Sequence, residues 1–419
     1  MTRTASALSL TGTFLALTLA VAAPDPLPRA RPEEVGLASA RLREATDLLY
    51  RFVTERKIAG AVAAVARRGK LVYLEAVGSR DLETRAPMTD RSLFRIYSMT
   101  KSVTAVAVMM LFEEGRFGLD DPVSKYLPEF TSVRVVAAGG AVDASTRPPS
   151  RDITVKDLLL HTSGLSHRTS DIYRRADVRS RAIPLPRFID NIVRVPLMED
   201  PGTAYRYSEG TTVLGRLVEV WSGQPFDTFL EERVLRPLAM IDSSFWVRPE
   251  QRARLTTVYA SAQGSALTPI EIETVPFTER PALVEGAVGL VSTVPDYLRF
   301  SQMLLNKGTL DGVRLLKAAT VDTMTANGLS EAILRARRGP MGWGLANVNV
   351  LLDPAGVDYP ASRGEYGWDG SAGTIFWIDP ATEMITILMT QSQPANPDSL
   401  RQRFKTLVQQ AVITPVSPR

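Results

Sequence analysis

Residues 39–56 (SARLREATDLLYRFVTER) place apolar side chains at Leu42, Ala45, Leu48, Leu49, Phe52 and Val53. Steps of three and four put them on one side of a helix, so the spacing predicts an amphipathic α-helix. The pattern then changes. AGAVAAVARRGKLVYLEAVG holds two β-prone runs around Arg68-Gly69 and reads as a hairpin. Far downstream, GTIFWID and EMITILMTQ form a second pair around Asp379-Pro380-Ala381-Thr382, and residues 398–412 read as a closing amphipathic helix. Between about 93 and 284 the segments TKSVTAVAVMMLFEEG, TVKDLLLH and TTVLGRLVEVWSG carry helical patterns, joined by long Pro/Gly-rich loops. Sheet-forming sequence at both ends and helical sequence between them predict an α/β domain made of residues 23–92 and 285–419. Its antiparallel sheet is flanked by helices, and a mainly helical domain, 93–284, is inserted into it.

The N-terminus has a pattern of its own. Arg3 precedes an apolar stretch from Ala5 to Ala23 that ends in Ala20-Val21-Ala22 and is followed by PDPLPRARP. That layout predicts a secretory signal peptide, residues 1–22. Cleavage after Ala22 is expected, because a cut after Ala23 would leave Pro24 directly behind the scissile bond. The alternative is an uncleaved N-terminal anchor, but Thr11, Gly12, Thr13 and Thr18 make a poor span. An exported protein, periplasmic or secreted, with no stable membrane insertion after cleavage is the expectation.

Composition narrows the chemistry. Among 419 residues, 45% hydrophobic and 22% charged, there is no Cys and there are only two His. Disulfides, thiol nucleophiles and Cys-ligated metals are thereby excluded. His161 and His167, six residues apart, are too few for a His-rich metal site, and a Ser-His-Asp triad would have to use one of them. The formal charge of +4 is scattered along the chain, which points away from nucleic acid. No G-x-S-x-G, H-E-x-x-H or P-loop is present.

One motif supplies a nucleophile without His or Cys. FRIYSMTKSVTAVAVMMLFEEG contains Ser98-Met99-Thr100-Lys101, the single S-x-x-K of the chain. On a helix, positions i and i+3 share a face, so the lysine reaches the serine. A serine at the first turn meets backbone N–H groups and a dipole that favour developing negative charge. A buried lysine loses its proton readily and then acts as a base. Taken alone, the tetrapeptide also fits a helix N-cap. The helix that follows is apolar all round (Val103, Val106, Val108, Met109, Met110, Leu111), hence central, and a lysine at its mouth needs a partner or a function.

This segment is followed in order by DITVKDLLLHTSGL, PGTAYRYSEGTTVLGRLVEVWSGQP, GLVSTVPDYLRFSQMLLNKGTLDGVRLL and GWDGSAGTIFWIDP. Together they resemble the serine β-lactamase and penicillin-binding-protein superfamily, most of all its family VIII carboxylesterases. The resemblance runs from about Arg31 to Leu407 and implies a β-lactamase/transpeptidase-like fold. It implies Ser98 as acylated nucleophile, Lys101 as its partner and Tyr207 (in Tyr207-Ser208-Glu209) as the Tyr-x-Asn tyrosine, which would share a proton with Lys101 and serve as general base, then as acid to the leaving group; which of Lys101 and Tyr207 is the base stays open. Tyr205 is the neighbour to be told apart from it. Trp368-Asp369-Gly370 stands where Lys-Thr-Gly is usual, and the N–H groups of Ser98 and Ser371 would form an oxyanion hole.

The departures bear on substrate. Trp368 cannot grip a carboxylate as a lysine would. Glu209 replaces the usual amide and Asp369 a glycine, so both would repel an anionic substrate if their side chains face the cleft. Trp368, Asp369, Gly370 and Glu209 are therefore the expected substrate-contacting residues. Trp343 and Trp377 are candidates for either pocket or core. His161 is expected to end a helix before a turn made by Gly164, and His167 to lie in a loop. The expected activity is hydrolysis of small uncharged esters through an acyl-enzyme on Ser98, without metal or organic cofactor. A β-lactamase or D-Ala-D-Ala carboxypeptidase is the alternative, and a non-catalytic penicillin-binding-type protein the remaining one.

Overall fold

A computed structural model describes residues 26–137, 145–261 and 266–413. The expected signal peptide lies outside them. Among the described residues no helix is long and apolar enough to cross a membrane.

The amphipathic stripe of 39–56 forms α1 (Ser39–Thr54), which buries Leu42, Ala45, Leu48, Leu49 and Phe52. The hairpin follows as β1 (Gly60–Arg67) and β2 (Lys70–Asp81), turning at Arg68 and Gly69, both with positive φ. A short β3 (Ala86–Pro87) closes this edge. Next comes α2 (Thr100–Glu113), buried from Thr100 to Leu111, so that Lys101, Ser102 and Thr104 are buried along with its apolar side chains. The helical part continues with α3 (Val155–Leu160) and α4 (Gly210–Ser222). The chain then returns through α5 (Val294–Leu305) to five strands: β4 (Met341–Gly344), β5 (Val348–Leu351), β6 (Tyr366–Asp369), β7 (Thr374–Asp379) and β8 (Met384–Met389). It ends in α6 (Leu400–Gln410).

These eight strands make one antiparallel sheet in the order β4-β5-β6-β7-β8-β1-β2-β3. The first strand thus pairs with the last, Val62 opposite Met389 and Ala66 opposite Ile385. All eight residues of β1 are buried, because the sheet is covered on both faces. Alternation sorts them. Ala61, Ala63 and Val65 face α1 and α6, with Leu48, Phe52, Phe404 and Val408. Val62, Ala64 and Ala66 face α2 and α5, with Val103, Val106, Tyr297 and Leu298. The same alternation decides which side chains of β6 can reach α2.

Candidate active site

Ser98 does not lie on α2 itself. It occupies a single 3-10 turn, Tyr97–Met99, that runs directly into α2. Tyr97 holds φ +42°, a left-handed value that costs a non-glycine residue roughly 1–3 kcal/mol. Packing enforces it: the ring is fully buried, meets Phe277 edge-on at 5.9 Å and lies under the Arg168 guanidinium. Neighbouring elements hold the rest of the turn. Ile96 N–H donates to Leu290 O, Tyr297 O–H donates to Met99 O, and Thr100 Oγ1 accepts from Leu290 N–H.

Lys101, one turn on, is fully buried. Its Nζ donates to the Ala287 carbonyl at 2.9 Å, lies 3.5 Å from Ser98 Oγ and stands 4.7 Å from the centre of the Tyr207 ring. None of these contacts is a carboxylate. Burial therefore pushes the ammonium down to about 8, with Glu209 opposing the shift. The 3.5 Å separation is at the long limit for a hydrogen bond.

Tyr207 reaches the same point from the loop ahead of α4. Its hydroxyl accepts from Trp368 Nε1 at 3.0 Å. Burial pushes the phenol well above its usual range, and hydrogen bonds to Ser98 and Trp368 oppose that shift. Tyr205 points elsewhere, its ring under Arg337 and edge-on to His161. The structure therefore brings Ser98, Lys101, Tyr207 and Trp368 together and leaves Tyr205 aside.

Gly370 and Ser371 form the turn between β6 and β7, beside the turn that carries Ser98. A Cβ on Gly370 would lie 2.5 Å from the Ile96 carbonyl, so glycine is what lets the two turns touch. Ser371 is exposed at the tip, and its carbonyl accepts from Gln393 Nε2.

Two of the expected substrate contacts are corrected. On β6, Tyr366 and Trp368 face the α2 side, so Asp369 faces α6, where its carboxylate pairs with Arg401. Its charge is neutralised on the far face of the sheet. Glu209 is fully buried at the N-terminal end of α4, its Oε2 accepting from Thr212 Oγ1 at 2.9 Å. It lies beneath the site rather than along the cleft.

The aromatic candidates divide as well. Trp343 is core: fully buried, donating from Nε1 to Leu159 O, and edge-on to Trp368 at 4.6 Å. Trp377 faces α6, with the Lys405 ammonium over its ring. His161 ends α3 by adopting the left-handed conformation itself (φ +55°), ahead of Gly164. Its ring packs 4.7 Å from that of Tyr207, its Nδ1 lies 3.1 Å from Ser208 Oγ, and burial holds it well below its usual range. His167 is in a loop as expected, yet its ring lies 5.5 Å from the Tyr207 ring, and burial pushes it down to about 4. It is uncharged at neutral pH. Sequence reasoning also missed Ala287, whose carbonyl holds Lys101 from 186 positions away; no local pattern marks such a carbonyl. Among the described residues no group of three or more His, Asp or Glu side chains has the geometry to hold a metal.

A family model described as Beta-lactamase matches residues 45–410. The chain belongs to the β-lactamase family. It is 30% identical to Esterase EstB of Burkholderia gladioli over 388 residues, covering 86% of this chain and 93% of that one. Lovastatin esterase of Penicillium rubens is 31% identical over 77% of this chain and 86% of its own. An uncharacterized protein of Mycobacterium tuberculosis is 35% identical over 80% of this chain and 86% of its own. The fold matches EstCE1, a hydrolase with promiscuous acyltransferase activity, at a TM-score of 0.77 and 24% identity, over 90% of this chain and 99% of that structure. The expected superfamily and fold are borne out by these matches, with esterases among the relatives.

Proposed function

We propose that the protein is a serine carboxylesterase that hydrolyses small uncharged esters. The observation that carries this reading is the placement of the Lys101 amine and the Tyr207 hydroxyl around Ser98 Oγ. Lys101 takes the Ser98 proton as Oγ attacks the ester carbonyl. The N–H groups of Ser98 and Ser371 stabilise the oxyanion. Tyr207 gives its proton to the departing alkoxide and regains one from the Lys101 ammonium. Water then attacks the acyl-enzyme and its proton returns through the same pair to Ser98 Oγ, which restores the starting state. No step uses a metal or an organic cofactor.

Preference for an uncharged ester rests on the side chains around Ser98. Trp368, Tyr207 and neutral His167 offer apolar rings and no cation for a substrate carboxylate. This replaces charge repulsion by Glu209 and Asp369, neither of which faces the cleft. A β-lactamase or D-Ala-D-Ala carboxypeptidase needs such an anchor, so it is the second reading; a relative named Penicillin-binding protein 4 (Amycolatopsis lactamdurans, 31% identical) keeps it in the test. We also propose export after cleavage behind Ala22, which the mass of the mature N-terminus tests.

The deciding experiment offers the purified protein short-chain p-nitrophenyl esters, a chromogenic cephalosporin and a D-Ala-D-Ala peptide, beside Ser98→Ala. Ester turnover that Ser98→Ala loses by at least about a thousandfold is the expected result. Ester turnover retained in Ser98→Ala would reject the mechanism. A much higher kcat/KM for the cephalosporin or peptide would transfer the conclusion to the second reading.

A further inference from the structure

The two N–H groups assigned to the oxyanion sit on different turns, Ser98 on one and Ser371 on the other. They serve one oxygen only while the turns keep a fixed spacing. Arg95, three residues ahead of Ser98, belongs to the short strand Phe94–Arg95, which pairs antiparallel with Val291–Ser292. That pairing occupies one edge of the strand, where Ile96 N–H donates to Leu290 O. The N–H and C=O of Arg95 point to the opposite edge, because successive residues of an antiparallel strand alternate in this way. Buried main-chain groups at that edge need partners.

Gln391 supplies both. Its Oε1 accepts from Arg95 N–H at 3.1 Å, and its Nε2 donates to Arg95 O at 3.2 Å. The side-chain amide thus stands where the main chain of a further strand would. It is almost fully buried, and Nε2 also donates to Thr390 O at 3.0 Å.

The chain around Gln391 is fastened to the other turn. Just beyond β8, Ser392 N–H donates to Ala372 O at 2.9 Å and Thr390 N–H to Gly373 O at 3.3 Å. Gln393 Nε2 donates to Ser371 O at 2.7 Å. Gln391 Nε2 itself reaches Ala372 O at 3.5 Å, the long limit. Segment 390–393 and the Ser371 turn are therefore one unit, and the Gln391 amide ties that unit to the strand leading into Ser98. The remaining links between the turns are the close approach of Gly370 to the Ile96 carbonyl and a 3.4 Å contact from Thr374 Oγ1 to the same carbonyl. Close approach limits how near the turns can come. The paired hydrogen bonds of Gln391 keep them from sliding or parting.

We propose that Gln391 is a positioning residue for the oxyanion hole: its amide holds the Ser98 turn against the Ser371 turn, so that both N–H groups meet one oxygen. The proposal rests on the reading of Ser98 as nucleophile and of these two N–H groups as the hole.

The test compares kcat/KM for a p-nitrophenyl ester and for its thiono analogue, with C=S in place of C=O. An oxyanion takes strong hydrogen bonds from well-placed donors, and the larger thiolate formed from C=S takes weak ones. Gln391→Met keeps most of the volume and removes every hydrogen bond of the amide. Its ester rate is expected to fall about thirtyfold, mostly in kcat, and its thionoester rate about threefold, so that the ratio of the two drops about tenfold. A purely structural loss lowers both rates by one factor, through the fraction of working enzyme, and leaves the ratio where it was. Should Gln391→Met not fold, Gln391→Asn draws the amide back from Arg95 by one methylene and is read in the same way. A ratio unchanged from wild type in the folded variant overturns the proposal. Ser98→Ala separates this from a deeper failure. Loss of ester turnover in Ser98→Ala, with an unmoved ratio in the Gln391 variant, removes only the role of Gln391. Turnover retained in Ser98→Ala removes the serine mechanism and the proposal with it.

Discussion

A strained turn, a buried lysine and a buried tyrosine meet at Ser98, and each is held by something distant in sequence. Tyr97 keeps its left-handed backbone because Phe277 and Arg168 enclose its ring. Lys101 is uncharged more readily than a surface lysine because it is fully buried and its Nζ bonds only to neutral oxygens. The two tyrosines of Tyr205-Arg206-Tyr207 separate cleanly at this scale. Both rings pack on His161 and Trp343, but only the Tyr207 hydroxyl meets Trp368 Nε1, whereas the Tyr205 ring lies under Arg337. Tyr207→Phe is therefore expected to lose at least about a hundredfold in kcat, and Tyr205→Phe to stay within a few-fold of wild type. Equal losses in steady-state kinetics would reject Tyr207 as the proton carrier. The motif Ser98-x-x-Lys101 was readable in the sequence because three positions are one helical turn. The roles of Asp369 and Glu209 were not, since motif alignment gives a position and not a direction.

At the scale of elements, α3 carries the clearest local signals. Thr154 and Asp157 form a reciprocal cap: Thr154 Oγ1 accepts from Asp157 N–H, and Asp157 Oδ2 accepts from Thr154 N–H. Asp157 also accepts from Thr162 Oγ1 at 2.7 Å and from Arg151. One carboxylate thus ties both ends of the short helix whose C-cap, His161, packs against Tyr207. Asp157→Ala is expected to cost about 2–3 kcal/mol, read from the denaturant midpoint, because it strands buried donors at both ends. The helix boundary at His161 and the cap at Thr154 both follow from local residue chemistry. That the imidazole then lines the underside of the site depends on where α4 is packed, which no local rule contains.

Across the whole molecule, the sheet joins the two chain ends, and α6 locks it. Lys405 on α6 donates to Glu365, just ahead of β6, at 2.6 Å with both side chains almost fully buried. Beside it, Arg401 holds Asp369 and the Gly370 carbonyl, so α6 bears directly on the turn that carries Ser371. Lys405→Met leaves a buried carboxylate unpaired and is expected to cost roughly 3–5 kcal/mol. Lys405→Met with Glu365→Leu should recover most of that loss in chemical denaturation; a double variant as unstable as the single would show that the pair does not act as a unit.

Hydrophobic periodicity determined the terminal helices, the two hairpins and the buried α2, because each is encoded by neighbours within one or two turns. Composition excluded a Cys nucleophile and left only His161 and His167 as candidates for a histidine base. The tertiary structure alone decided which face of β6 points to α2, which carbonyl holds Lys101, and that the Glu209 side chain is fully buried. Those are consequences of strand register and of packing between segments far apart in the chain. Local sequence cannot specify them, because the energy that selects them exists only once the sheet has closed around both ends of the chain.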